Sequence, residues 1–327
     1  MARLWTDGAE FGDVLFWDTP STLATTTTNP RSGVYCYTMG GYIPIQKNIP
    51  NLTEFYLRAA WRESGYSTDY RSPGWMNGAT ELGSVRVNVS THFVEIYTGT
   101  GTLVDTGTIA LTAGTMYLIE VHVKIDDTVG AIDVKIDGIA DASFAGDTKP
   151  GAATYADGIW WSGASTQTFQ LDDLALNDTT GGVDDSWCGD GKVVILLPNA
   201  AGDVTQLTPS AGDNYAAVDD IPHDTDTTYV ESSTQNQYDL YNLSASGLSG
   251  VTIRRVWAEA RARDTVAEGG LLALGLKTVS TEYWGDDLNM LTTYNDYRGT
   301  VHTINPNTLA AWTVAQLDAL QVGPKVR

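Results

Sequence analysis

The side chains of this sequence best suited to chemistry are acidic and aromatic. Asp172 and Asp173 are adjacent in a stretch, residues 169–176, that otherwise reads as a β-strand. Regular alternation puts Leu171, Asp173 and Ala175 on one face and Asp172, Leu174 and Leu176 on the other, so the two carboxylates are expected to point apart. One of them, joined by backbone carbonyls and an N-terminal acid such as Glu10 or Asp13, would make the hard-oxygen set that suits calcium. A carboxylate accepting from loop amides does the same structural task. Tyr66, Tyr70, Trp75, Trp160 and Trp161 form a second candidate group, a stacking platform for sugar. Its plainer alternative is core and inter-subunit packing, which applies equally to Trp257, Tyr283 and Trp284.

Other chemistries find little footing. Glycoside hydrolysis needs two carboxylates about 5–9 Å apart, and Glu95, Glu120, Asp133 and Asp137 show no such arrangement and read as a solvated face. His92, His122, His223 and His302 fall in no HExxH motif or cluster, so zinc is not indicated. Nucleophile elbows, phosphate loops and paired-cysteine motifs do not occur. The expectation is a non-enzymatic protein with no catalytic residue.

The elements that must position these groups are strands. Tyr117, Ile119, Val121, Val123 and Ile125 alternate with Leu118, Glu120, His122 and Lys124; Ile132, Val134 and Ile136 repeat the pattern. Asp137-Gly138 then supplies a turn that tolerates positive φ. Further strands are expected over 33–39, around Phe55–Trp61, at Val85–Val89 and 92–97, and over 158–161, with a loop at 62–78. About ten to twelve short antiparallel strands before residue 178 close most economically into a jelly-roll sandwich. The fold class is therefore all-β: a jelly-roll domain over 1–178, a linker at 179–186, and a second mostly β domain over 187–327. In the second domain, strands are expected at 192–197, 228–231, 238–243 and 251–263, the last returning through 271–276. Residues 199–226 read as a long polar excursion, and 312–320 as a short C-terminal helix with Thr313 as N-cap.

Composition narrows the partners. The 327 residues carry 40 acidic and 19 basic side chains, a net charge of −21, which disfavours a phosphate-contacting nucleic-acid surface. No apolar run is long enough to insert in a membrane, and no secretory signal is visible after Met1. Cys36 and Cys188 fall in different expected domains and read as isolated thiols.

Several stretches resemble a known group. YLIEVHVKIDDTVGAIDVKIDGIADASFAGDT, followed by FQLDDLALNDT, is similar to the concanavalin A-like, laminin-G-like jelly-roll superfamily. MARLWTDGAEFGD and NPRSGVYCY resemble the start of such modules in tailed-bacteriophage structural proteins. TYVESSTQNQYDLYNL, VTIRRVWAEARARD and AAWTVAQLDALQVGPKVR resemble other segments of those proteins. The resemblance implies a virion component, in head decoration, fibre or tail, located on the capsid surface or tail. It would act by multivalent assembly with other virion proteins and with itself, in a homotrimer for example. It also implies two alternatives, a tail module recognising a bacterial surface glycan and a polysaccharide hydrolase or lyase. A structural cation, where present, falls by the same resemblance at Asp172 or Asp173. The terminal helix and residues 199–226 are the expected contact surfaces.

Overall fold

The computed structural model describes residues 3–20, 22–41, 44–66, 70–163, 167–266 and 269–327, with the backbone alone for 70–72. The chain forms two compact units, Met1–Val194 and Ile195–Arg327. The boundary lies beyond the expected linker, because residues 187–194 pack on the first unit.

That unit holds β1 (Arg3–Asp7), β2 (Ala24–Thr26), β3 (Cys36–Met39), β4 (Ile45–Leu52), β5 (Glu54–Glu63), β6 (Tyr70–Asn77) and β7 (Thr80–Val87). It continues with β8 (Val94–Thr98), β9 (Thr102–Thr106), β10 (Met116–Lys124), β11 (Gly130–Ile136), β12 (Ile139–Gly146), β13 (Ala156–Trp161) and β14 (Phe169–Asn177). Every pairing among them is antiparallel. An eight-stranded sheet runs β12-β11-β10-β5-β14-β3-β2, with β1 also on β14; a six-stranded sheet runs β4-β13-β6-β7-β8-β9. This is the expected all-β sandwich.

Alternation decides what lies between the sheets. Phe55, Leu57, Ala59 and Trp61 of β5 and Ile119, Val121 and Val123 of β10 meet Leu82, Val85, Val87 and Ile96 of the other sheet in one continuous core. Burying each large aliphatic or aromatic side chain there contributes about 1.5–3 kcal/mol relative to exposure. The β11–β12 turn forms at Asp137 (φ 50°) and Gly138 (φ 79°), both left-handed, as that hairpin requires.

Several expectations change. The stretch 62–78 is largely sheet: β5 extends to Glu63, and β6 is an interior strand between β13 and β7. Pro73 is tolerated because the β6–β7 register slips between Arg71 and Gly74, so its missing N–H breaks no ladder bond. Residues 192–197 are not a strand; the strand begins at Pro198 and runs to Thr205, inside the supposed excursion.

In the second unit the main sheet orders Pro198–Thr205, Asp239–Leu243, Gln321–Val326, Leu271–Thr278 and Thr281–Trp284, with Leu288–Asn289 also on Leu271–Thr278. Only Glu259–Ala262 of the expected 251–263 strand forms, and it pairs with Asn295–Arg298 rather than with 271–276. The helix α1 (Val314–Asp318) is capped as expected. Thr313 Oγ1 accepts from Gln316 N, and Gln316 Oε1 accepts from Thr313 N. Its Leu317, with Leu320 and Trp312, is buried in a small core against Val256 and Leu276. The helix's apolar side therefore packs inside its own unit, while Ala315 and Asp318 are exposed.

Candidate functional site

The outer face of the eight-stranded sheet carries charged residues that a strand pattern would leave in water, yet Arg58, Glu120, Asp172 and Asp173 are buried. Two segments cover them. Residues 186–193 cross this face: Gly189 N donates to Glu120 Oε1 (2.7 Å), Arg58 Nη1 to Gly189 O (2.9 Å), and Val193 N to Asp173 Oδ1 (2.9 Å). Cys188, in this strap, is buried against the sheet, in the same unit as buried Cys36, and both cysteines are outside any disulfide. Burial pushes Cys188 up to about 11 and Cys36 up to about 12. Trp187 pins the strap, with Lys135 Nζ 3.9 Å over its ring and Tyr56 edge-on at 5.5 Å. Tyr56 also stacks on His122 at 4.5 Å, and the His122 nitrogens lie 2.9 Å from Glu54 and 2.9 Å from Asp133.

The second covering segment is the loop before β3. Along β14 the partner changes from β3, opposite 169–171, to β1, opposite 174–177. A bulge sits at the change, between Asp172 and Ala175, and Asp173 takes a left-handed φ of 48°. Alternation is thereby reset, and Leu171, Leu174 and Leu176 all face the core. The expected opposition of Asp172 and Asp173 fails for this reason: both carboxylates meet the same loop. Asp172 Oδ2 accepts from Arg31 N (2.7 Å) and Ser32 N (3.1 Å). Asp173 accepts from Arg31 Nη1 (2.7 Å) and Ser32 Oγ (2.9 Å). Glu10 accepts from Val34 N (2.9 Å) and feels the Asp173 charge, whereas Asp13 accepts from Leu15 N in its own turn. Burial, with the neighbouring Asp173 charge second, raises Asp172 to about 8; burial raises Glu10 to about 7. The acids thus bind loop amides and the Arg31 guanidinium. Among the described residues no group of three or more His, Cys, Asp or Glu side chains is placed to hold a metal ion.

The outer face of the six-stranded sheet is built differently. Val85 and Val87 point inward, and the alternate positions Ser84, Arg86 and Asn88 carry the polar side chains. On β8, Glu95 and Tyr97 alternate with the core residues Val94 and Ile96. Register sets Arg86 opposite Glu95 and Ser84 opposite Tyr97. The Arg86 guanidinium lies 3.9 Å over the Tyr97 ring and donates to Thr100 O (2.9 Å), Ser84 Oγ (3.2 Å) and Glu81 Oε1 (3.4 Å). Tyr97 OH donates to Glu95 Oε2 (2.8 Å), and Asn88 Nδ2 to Glu95 Oε1 (2.8 Å). Arg86 is 6% exposed and Glu95 8%. A guanidinium, two carboxylates, an amide and a phenol are thereby fixed side by side on one sheet face, each oriented by its neighbours.

Of the aromatic residues expected as a platform, Trp160 (8% exposed) belongs to this sheet, where a side chain at its partner Gly74 would collide with its indole. Trp75 and Trp161 do not qualify. Both are fully buried, Trp75 edge-on to Phe55 and Trp161 edge-on to Trp17. They sit at inward positions of β6 and β13, which sequence alone assigned to loop and to an unspecified face. Tyr66 is half-buried with its ring centroid 4.6 Å from that of His92, and the Tyr70 side chain lies outside the described residues. Arg86 and Tyr97 escaped the sequence reading, and Glu95, read there as part of a solvated face, is buried; the signal was the polar half of the alternation that marked Val85–Val89 as a strand.

No protein-family model matches the sequence, and no curated protein is significantly similar to it. Among solved structures the chain is similar to a sialidase at 10% identity and TM-score 0.40, covering 54% of this chain and 18% of that one. It is similar to domain 4 of the extracellular arabinanase AbnA from Geobacillus stearothermophilus, in complex with arabinotriose, at 12% identity and TM-score 0.40, covering 54% and 92%. It is also similar to a Bacillus subtilis protein of unknown function with a galectin-like fold, at 8% identity and TM-score 0.41, covering 54% and 96%.

Proposed function

We propose that the first unit is a non-enzymatic glycan-recognition module whose ligand lies on the outer face of the six-stranded sheet. The observation that carries this reading is the interlocked set Glu81, Ser84, Arg86, Tyr97, Glu95 and Asn88. Carbohydrate recognition needs planar donors and acceptors held rigid for vicinal hydroxyls, beside aromatic surface for the C–H face of the ring. The virion expected from the resemblance supplies a setting for such a module, as a receptor-binding component present in many copies, where weak contacts add through high effective concentration.

A glycan array followed by titration calorimetry tests it. The intact chain is expected to bind a subset of surface polysaccharides, and Glu95→Gln and Arg86→Lys to weaken that binding by about tenfold or more while their melting temperatures show them folded. Intact protein that binds nothing across the panel, or variants that bind as well as the parent, would refute the assignment.

A further inference from the structure

Residues 299–317 contain no Asp, Glu, Lys or Arg, in a chain with 40 acidic and 19 basic side chains. His302, the titratable group of that stretch, is held below its ordinary pKa by burial and stays uncharged at neutral pH. The stretch includes an exposed loop, residues 303–311, tied to the turn after Leu271–Thr278. Asn305 Nδ2 donates to Thr278 Oγ1 (3.1 Å), and Tyr283 OH to Asn307 Oδ1 (3.4 Å). Asn305 also holds the loop from within, its Oδ1 accepting from Asn307 N (2.8 Å) and Thr308 N (3.2 Å). The charged neighbours are engaged elsewhere, Lys277 with Asp203 and Glu282 with Tyr238 and Trp284.

On this hydrogen-bonded tip Leu309 is 76% exposed, Val279 73% and Ile304 44%. Val279 (φ 61°) and Leu309 (φ 53°) hold left-handed backbone conformations, which cost any residue with a Cβ, β-branched Val most, and which Gly or Asn would adopt at less cost. Neither side chain gains burial within the chain in return. Exposed aliphatics kept at strained positions point to a contact made outside it.

We infer that this tip is where the chain associates with a second copy of itself, tip against tip. Charge selects the occupant. A basic partner would be drawn to the acidic surfaces, whereas two chains of net charge −21 repel except where both present uncharged surface. A patch that matches its own copy closes a symmetric assembly.

Sedimentation velocity of the full chain at low and high salt tests this. Self-association is expected, and it strengthens with salt as screening removes the repulsion. Leu309→Asp places a charge in the contact and is expected to weaken association about tenfold or more, with an unchanged circular dichroism spectrum. Val279→Gly weakens association yet raises the melting temperature by relieving strain. A chain that stays monomeric at both salts, or assembles equally well with Leu309→Asp, overturns the inference. A lower melting temperature for Val279→Gly does so too, since Val279 would then serve the monomer.

Discussion

The two outer faces of the sandwich start from the same strand chemistry, alternate polar side chains on antiparallel sheet, and end differently. On the eight-stranded sheet, Arg58, Glu120, Asp172 and Asp173 are roofed by the protein's own strap and loop, and they bond to backbone and side-chain groups of those covers. On the six-stranded sheet, Arg86, Glu95 and Tyr97 find partners mainly among side chains of the same face. A buried charge is therefore no guide to a site by itself. Its partners show which parts of the chain it holds together.

The largest effect should come from breaking the roofed face. Asp173→Ala removes the partner of Arg31, Ser32 and Val193 and leaves an alanine at a left-handed φ; it is expected to destabilise the first unit by about 3–5 kcal/mol, read by denaturant unfolding. Glu95→Ala, on the open face, should cost less stability.

pH separates the faces next. Asp172 at about 8 and Glu10 at about 7 lie above ordinary carboxylates, as does buried Glu63, raised to about 8 by burial, whose Oε2 has no partner among the described residues. A folded pKa above the unfolded one means that the folded state holds the proton longer. The stability these groups contribute is complete below about pH 4 and declines up to about pH 8, where they ionise in the fold. The unfolding midpoint should fall across that window, and Asp172→Asn should flatten the fall.

Smaller effects follow. Gly74→Ala sets a methyl group against the Trp160 indole and is expected to cost about 1–3 kcal/mol. It should also disturb glycan binding, measured together with its melt. Trp187→Ala loosens the strap by about 1 kcal/mol through its lost cation–π and edge contacts. Faster amide exchange over 186–193 would show it, with glycan binding unchanged.

The sequence made the sandwich legible because the core rests on period-two alternation, plain in β5, β7, β10 and β11. It misled where one residue broke the period. The bulge at Asp172–Asp173 adds a residue and turns a carboxylate, and periodicity has no term for that. Strand β6 was hidden by Pro73 and Gly74, although its neighbours accommodate both. The strap was invisible for another reason: residues 186–193 have no regular pattern, and their place follows from unsatisfied groups on strands far away in sequence. The capped helix was readable because its signal is local, Thr313 followed by Gln316. The strand after it was not, since Gln321–Val326 contains Gly323 and Pro324 and owes its conformation to both neighbours.

That same strand governs how the second unit can be made. It lies between Asp239–Leu243 and Leu271–Thr278, so the middle of the sheet is translated after its flanks. The two flanks cannot be joined through this sheet until residues 321–326 have been made. Such long-range pairing makes assembly slow and leaves earlier strands open to wrong partners in the interval.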